Sequence, residues 1–179
     1  MLQNYNKYKV LKIFFDDPSP KGIGFQLREI SRKVKIAPTS VKKYLNELEK
    51  EGFITKTKHR IFDYPIYSAN RDSGEFKFYK KIDMLISIKM SNLLDYLHEE
   101  CIPDVIILFG SAARGEDLKD SDVDLFLLCK ERKLNLQKFE NELKRKINIF
   151  FAGDFEKLSL ELKNNILNGI ALKGYLKVF

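Results

Sequence analysis

Apolar residues recur at helical spacing in three segments at the start of the chain, and each segment is followed by a turn signal. The first segment runs through Phe14, and the second covers Leu27 to Val34. The third begins near Pro38, where the first-turn preference of proline fits and Thr39 or Ser40 is expected to cap the helix. Three short helices are therefore predicted.

A β-hairpin is predicted next, because two stretches rich in β-branched and aromatic residues flank a polar tip. The tip is Thr57–Arg60, between Phe53–Lys56 and Ile61–Tyr67. The polar, turn-rich stretch Ser68–Gly74 predicts a linker. A long amphipathic helix is then expected from about Glu75 to His98.

The second half of the chain contains continuous apolar runs of strand length, which predict buried strands separated by helices. The strands are expected at Val105–Phe109, Val123–Cys129 and Ile147–Phe151, and the helices at Asn135–Lys146 and Asp154–Leu167. This order favours a mixed sheet with helices on one face. The final segment, Ile170–Leu176, is apolar enough to dock, but its pattern does not assign it.

Charge is distributed unevenly between the two halves. Residues 1–72 carry 15 Lys and Arg against 8 Asp and Glu, a net charge of +7, whereas residues 73–179 carry 17 against 17. A local positive field attracts polyanions, so nucleic-acid contacts are expected in the first part of the chain.

The composition excludes several classes of protein. Cys101 and Cys129 are the only cysteines and lack the spacing of metal ligands, which argues against a disulfide framework and for a reducing compartment. No apolar stretch approaches transmembrane length, and the first residues lack the apolar segment of a signal peptide. A soluble, cytoplasmic protein without membrane contact is therefore expected.

One turn and one strand carry the candidate chemistry. Gly110 and Ser111 follow the first predicted strand of the second half, and Asp122 and Asp124 open the next. Alternation along a strand places both carboxylates on one face, where they repel unless a cation lies between them. Oxygen ligands of this kind suit Mg2+, and a Gly-Ser turn lets backbone N–H groups approach a triphosphate.

The motifs Gly110-Ser111, Ala113-Arg114-Gly115 and Ser121-Asp122-Val123-Asp124-Leu125 together resemble the minimal nucleotidyltransferases of the DNA polymerase beta superfamily. The resemblance covers roughly the last half of the chain. It implies transfer of a nucleoside monophosphate from Mg-NTP, with ATP the expected nucleotide. It also implies that Asp122 and Asp124 bind the metal and act in catalysis, while Gly110, Ser111 and Arg114 bind the nucleotide.

The chain departs from the family pattern at the third carboxylate. On the strand that matches its usual position the residue is Asn148, which can ligate a metal but cannot act as a base. Asp154 is an alternative third carboxylate, although its place before Phe155 also fits a helix N-cap.

Other site residues also have alternative interpretations. Arg114 either holds a phosphate or forms a surface ion pair with Glu116 or Asp117. The two acids themselves could belong to a solvated turn, but Asp124 lies inside an apolar strand, where an unpaired charge is costly. His59, at a basic hairpin tip, is interpreted as a solvated or phosphate-facing side chain rather than a metal ligand.

Three helices followed by a basic hairpin resemble a winged helix-turn-helix, and the run from Leu45 to Ile54 is similar to the helix-to-wing passage of many such regulators. The resemblance implies that the third helix enters the major groove and that the wing touches flanking backbone. The candidate contacts are Thr39, Ser40, Lys42, Lys43 and Asn46 on the helix, and Lys56, Lys58 and Arg60 on the wing. A domain that only mediates protein contacts is the alternative.

The predicted fold class is α+β, with a winged helix-turn-helix in residues 1–70, a connecting helix in residues 71–98 and a small mixed-sheet nucleotidyltransferase-like domain in residues 99–179.

Two functions are consistent with this organisation. The first is transfer of an NMP to a hydroxyl of a protein or small molecule, with a partner toxin as one protein acceptor that the resemblance implies. The second is a DNA-binding transcriptional regulator whose nucleotidyltransferase-like domain is inactive or only senses nucleotide. Double-stranded DNA is an expected partner, and a homodimer is an option because DNA half-sites come in pairs.

Overall fold

The computed structural model describes residues 5–18 and 23–177. The chain divides into two compact units, one that ends at Lys80 and one that begins at Lys81. The boundary falls inside a helix, Gly74–Met90, which is named α4 below.

The first unit contains three helices and a small sheet. The helices are α1 (Asn6–Asp16), α2 (Leu27–Val34) and α3 (Pro38–Lys50), and the strands are β1 (Phe25–Gln26), β2 (Ile54–Lys58) and β3 (Pro65–Ala69). The strands are antiparallel in the order β1-β3-β2. The three predicted helices are therefore present, and the hairpin gains a short third strand.

Burial explains why these segments form helices. Phe14 of α1, Ile30 of α2 and Leu45 of α3 are fully buried in one apolar cluster, so the stripe of each helix faces the same core. Pro38 lies in the first turn of α3. The expectation that Thr39 or Ser40 caps this helix is wrong, because α3 already begins at Pro38 and has no side-chain cap.

The hairpin differs from its prediction at the tip. The returning strand begins at Pro65 rather than Ile61, and Asp63 takes a left-handed conformation, φ 55°, that interrupts the extended chain. The same strand continues through Ser68 to Ala69, where a linker was predicted. Pairing of Phe25 with Tyr67 on the far side of β3 adds β1, a strand too short to show a period.

The second unit is built on a mixed four-stranded sheet. Its helices are the end of α4, α5 (Leu93–Cys101), α6 (Gly110–Arg114), α7 (Gln137–Leu143) and α8 (Leu160–Leu167), and its strands are β4 (Val105–Phe109), β5 (Val123–Leu128), β6 (Ile147–Ala152) and β7 (Ile170–Gly174). The sheet order is β6-β5-β4-β7, in which only β5 and β6 are parallel. The predicted α+β class and mixed sheet are therefore confirmed.

Helices cover both faces of this sheet, contrary to the expectation of one covered face. Leu108 and Leu125 pack with α5, α6 and α7. Phe126, on the opposite face, packs with Phe155 and with Ile166 of α8. The continuous apolar strands allow this, because every second residue of a strand points to the other face.

Two predicted helices are each broken in two. The long helix stops at Met90 and restarts at Leu93, because Asn92 is left-handed (φ 59°) and the Ser91 hydroxyl donates to the carbonyl of Ile88 and accepts from the N–H of Leu93. The last predicted helix becomes a 3-10 turn, Phe155–Lys157, followed by α8. Ser159 caps α8 by accepting from Leu162 N–H.

The remaining segments of this unit are refined rather than rearranged. The predicted helix Asn135–Lys146 is shortened to α7, because Lys144 is left-handed, with φ 55°. The unassigned C-terminal segment forms β7, which pairs antiparallel with β4.

The close approach of Gly169 to β4 gives a test of this edge of the sheet. A Cβ at Gly169 would lie 2.6 Å from the carbonyl oxygen of Leu108, whereas a Cβ at Gly153 would meet nothing within 4 Å. We expect Gly169→Ala to destabilise the second unit by about 1–3 kcal/mol through overcrowding, and Gly153→Ala to change stability by less than about 1 kcal/mol. Urea unfolding followed by circular dichroism measures both, and equal losses would contradict the close approach of β7.

Candidate nucleotidyl-transfer site

Backbone register brings the candidate residues to one edge of the second sheet. Asp124 lies opposite Phe109 on the antiparallel strand β4 and beside Asn148 on the parallel strand β6. Gly110 follows Phe109 directly, so the end of β4 and the starts of β5 and β6 meet at this point. The site is thus fixed by main-chain pairing before any side chain is considered.

The Asn148 amide joins the two carboxylates. Its Nδ2 donates to Asp122 Oδ2 over 3.0 Å and to Asp124 Oδ1 over 3.1 Å. An amide nitrogen offers two N–H groups, so one side chain satisfies an oxygen of each acid. The two carboxylates therefore converge on a single point, and a partial positive charge occupies it.

Gly110 approaches Asp124 so closely that no side chain fits. Its φ is +72°, and a Cβ there would lie 2.5 Å from Asp124 Oδ2. Glycine is thus required both for the conformation and for the space. Ser111, the next residue, is half-buried in the first turn of the short helix α6.

Arg114 forms the ion pair that the sequence offered as an alternative to phosphate binding. Its Nε lies 2.9 Å from Glu116 Oε2, and both side chains are exposed. A nucleotide phosphate would have to compete with Glu116 for this guanidinium. Asp117, the other candidate partner of Arg114, pairs with Arg145.

The pair of Asp117 and Arg145 was not predicted from the sequence. Arg145 Nη2 lies 2.8 Å from Asp117 Oδ2, and the two side chains are only 7% and 1% exposed. Arg145 Nη1 also donates to the carbonyl oxygens of Leu118 and Ser121, the latter over 3.2 Å. One guanidinium thus ties the loop that precedes Asp122 to the residues that precede β6.

Glu140 supports the same end of β6. Its carboxylate accepts from the N–H of Ile147 over 3.2 Å and pairs with Lys146 over 3.1 Å. The backbone hydrogen bond from Ile147, followed by the bond from Lys146, lowers the pKa of Glu140 below its ordinary value. The carboxylate therefore stays ionised to a lower pH than an ordinary glutamate does, and it continues to accept from the first N–H of β6.

Asp154 does not join the acidic site. Its side chain accepts from Glu156 N–H over 3.0 Å and caps the 3-10 turn, in agreement with the capping interpretation. It lies beyond β6, at the end of the strand opposite to Asn148. An open depression of about 640 Å³ is found there, lined by Leu128, Gly153 and Asp154 among others, and it is separate from Asp122 and Asp124.

The cysteines do not take part in the site. Both thiols are free, and both side chains pack with the core of the second unit. Burial raises the pKa of Cys129 to about 11, so the thiol is protonated at neutral pH and is not a nucleophile.

Comparison with known proteins identifies a family for the segment that contains Asp122, Asp124 and Asn148. Residues 91–175 match the family described as polymerase beta, nucleotidyltransferase. This segment is a polymerase beta nucleotidyltransferase domain. Residues 26–55 of the first unit match the winged helix-turn-helix DNA-binding family. The predicted fusion is therefore confirmed. No curated protein shows significant similarity to the chain.

The donor set of the nucleotidyltransferase domain fits a divalent metal with few protein ligands. Its superfamily generally uses divalent metals. Within residues 5–18 and 23–177 no group of three or more His, Cys, Asp or Glu side chains forms a metal site. Two carboxylates and an amide do converge, however, and Mg2+ is commonly held by one or two carboxylates together with substrate phosphates.

The winged helix-turn-helix presents most of its candidate contacts to solvent. Thr39, Lys42, Lys43 and Asn46 are exposed on α3, and Ser40 is half-buried. On the wing Lys56, Lys58 and Arg60 are exposed, and Lys58 pairs with Asp63 over 3.2 Å. Nearby acids are partly compensated, because Lys7 of α1 pairs with both Glu47 and Glu51. In the described residues no helix has the length and apolarity to cross a bilayer.

Replacement of Arg145 tests whether the buried pair holds the site loop. We expect Arg145→Met to destabilise the nucleotidyltransferase domain by about 3–5 kcal/mol, because it removes the guanidinium that pairs with the buried Asp117. The matched control is Arg114→Met, which removes an exposed pair and should cost less than about 1 kcal/mol. Denaturant unfolding measures both, and a loss of stability at Arg145 no larger than at Arg114 would contradict this role.

Proposed function

We propose that the chain is a DNA-binding nucleotidyltransferase that transfers an NMP from Mg-NTP, with ATP the expected nucleotide, to a hydroxyl of a protein or small molecule. In this proposal residues 1–70 bind double-stranded DNA, residues 71–98 connect the domains and residues 99–179 carry the reaction. Asp122 and Asp124 hold the metal, while Gly110 and Ser111 receive the phosphates.

The observation that carries the proposal is the convergence of Asp122 and Asp124 on one donor. Like charges held this close favour a cation at their shared point, and the hydrogen-bonded Nδ2 of Asn148 marks that point. Mg2+ bound there would neutralise charge on the transferring phosphoryl group. The missing side chain at Gly110 lets the Asp124 carboxylate lie directly against the turn that would receive the phosphates.

Asn148 sets the limit on the chemistry. For the metal to bind between the acids, the amide must turn its N–H2 away, and its oxygen can then serve as a neutral ligand. An amide cannot accept the proton of the attacking hydroxyl, so that proton must pass to water while pyrophosphate leaves from the α-phosphorus. Because phosphoryl transfer depends chiefly on positioning and charge neutralisation, we expect a slow enzyme.

The substitution Asn148→Asp tests this limit. A carboxylate at this position should raise the transfer of label from α-labelled ATP in the presence of Mg2+ by about 10²–10⁴-fold, the usual contribution of a general base. Asp124→Asn should abolish transfer in both backgrounds. Asn135→Asp is the matched control, because it adds the same charge to an exposed residue whose side chain accepts from the N–H of Gln137.

Three outcomes of this experiment are informative. Label on the protein itself, on an added protein or on a small molecule identifies the acceptor class. Transfer that survives Asp124→Asn would remove the assigned site. Absence of transfer even with Asn148→Asp would remove the enzymatic function.

A second candidate function follows from the same hydrogen bonds. The Asn148 amide already satisfies one oxygen of each acid, which offsets part of their mutual repulsion in the absence of a metal. This favours a DNA-binding regulator whose nucleotidyltransferase domain is inactive or senses a nucleotide without turning it over. Binding of ATP with Mg2+ in the absence of any transfer, measured by calorimetry on the wild-type chain, would support the regulator over the enzyme.

DNA binding by the first unit is tested through two exposed lysines of α3. We expect Lys42→Ala/Lys43→Ala to weaken binding to duplex DNA and to reduce the slope of log K against log salt by about 2, because each lysine that no longer neutralises a phosphate lowers the slope by about 1. Lys130→Ala/Lys133→Ala removes the same charge from exposed positions of the other unit and should leave the slope unchanged. Equal effects of the two pairs would show that only net charge matters.

A further inference from the structure

The tip of the wing presents two adjacent apolar side chains to solvent. Ile61 is 73% exposed and Phe62 is 68% exposed, and both lie between Arg60 and Asp63. Single exposed apolar residues are ordinary on protein surfaces. An isoleucine and a phenylalanine next to each other at the tip of a hairpin differ from such single residues, because together they form a continuous exposed apolar surface.

His59 organises this tip. Its Nδ1 accepts from the N–H of Ile61 over 3.2 Å and from the N–H of Phe62 over 3.3 Å. The backbone closes around it, since His59 N–H donates to Tyr64 O over 2.8 Å and Asp63 N–H donates to His59 O over 3.1 Å. The position of both apolar residues is therefore fixed by hydrogen bonds of the loop.

Aromatic stacking stiffens the tip further. The His59 ring lies 4.7 Å from the ring of Tyr64 and 5.2 Å from the ring of Phe62, both nearly parallel to it. Tyr64 is in turn anchored, because its hydroxyl accepts from Gln26 Nε2 over 2.9 Å. Exposed apolar groups on a stiff support lose little conformational entropy when they enter a partner.

The charge around the tip indicates a polyanionic partner. Lys56, Lys58 and Arg60 are exposed along the same hairpin, and Asp63 is the only acid of residues 53–67. Basic side chains attract phosphates, whereas isoleucine and phenylalanine do not contact phosphates. Proteins that combine cationic contacts with apolar wedges insert these wedges between base steps from the minor groove and kink the duplex.

We infer that Ile61 and Phe62 form a wedge that enters the minor groove of double-stranded DNA, unstacks one base step and bends the duplex. The inference rests on the proposed DNA binding of this unit and adds a deformation to it. His59 is a positioning residue in this scheme, because it holds the wedge without contacting the bases. The protein should prefer sites with a flexible pyrimidine–purine step, where unstacking costs least.

The experiment uses the full chain and a duplex of about 30 base pairs with one central TA step, together with a matched duplex that has a stiff A-tract at its centre. Donor and acceptor dyes at the ends report bending, and 2-aminopurine next to the step reports unstacking. With wild-type protein we expect a bend of roughly 20–90° and a rise in 2-aminopurine fluorescence. Both signals should be stronger on the TA duplex.

Variants separate the wedge from the electrostatic contacts. Ile61→Ser/Phe62→Ser should abolish the bend, the fluorescence rise and the preference for the TA duplex, and should keep the slope of log K against log salt, because the substitutions leave every basic side chain in place. Phe62→Leu should retain the bend. Ile23→Ser is the matched control, since Ile23 is a 55% exposed isoleucine of the same unit and should have no effect.

The outcomes distinguish failure of the wedge from failure of DNA binding. Salt-sensitive binding by wild-type protein without bending or unstacking would overturn the wedge and leave DNA binding intact. The wedge is equally overturned if the double serine variant bends DNA like wild type, or if its sole effect is to turn a dimer into a monomer. Absence of any duplex binding by the wild-type chain would overturn the DNA-binding proposal and the wedge with it. The wild-type fluorescence signal does not depend on the folding of any variant.

Discussion

Two carboxylates at the start of β5, Asp122 just before the strand and Asp124 within it, repel each other, and the candidate site depends on how that repulsion is offset. The Asn148 amide lies between Asp122 and Asp124 and donates to both. It reaches them only because β5 and β6 pair in one parallel register, with Asp124 beside Asn148. A slip of one residue would turn the amide to the other face of the sheet. The acidic site is thus a property of strand pairing as much as of residue type.

The same amide connects the two candidate functions. Any cation that enters between the acids must displace two hydrogen bonds. Its apparent affinity for this site is therefore lower than its affinity for two carboxylates that make no such hydrogen bonds. An enzyme would tolerate this competition when triphosphate oxygens supply the remaining ligands. In a sensor, the same competition would set the concentration of metal and nucleotide at which the site becomes occupied. The enzyme and the sensor therefore differ in one respect. Only the enzyme must bind an acceptor hydroxyl and remove its proton.

Sequence patterns predicted most of the elements that carry the site, and particular physical causes explain the rest. Val105–Phe109 and the first strand residues at Val123 and Ile147 were placed correctly, because continuous apolar runs bounded by polar residues leave little freedom. The helix break at Asn92 was missed, since one left-handed residue does not disturb an amphipathic stripe. Helices on the second sheet face were missed because a strand buried on both sides has no alternating pattern.

The site itself shows a similar division. The grouping of acids and glycine was visible as a motif, whereas the partnership of Asp117 and Arg145 was not. The two residues are far apart along the chain, and no local pattern joins them. The sequence shows only charged residues near apolar segments, and residues that form ordinary surface ion pairs show the same pattern. Long-range polar contacts depend on the finished fold and leave little trace in neighbouring residues.

The burial of the Arg145 guanidinium against Asp117 constrains which substitutions the two positions can accept. A buried charge without its counterpart is strongly unfavourable, whereas an apolar pair of similar volume can replace both partners at little cost. Positions 117 and 145 should accordingly drift as a unit among related sequences, either both charged or both neutral, even where the surrounding loop varies freely. Such concerted variation would be a record of packing rather than of catalysis.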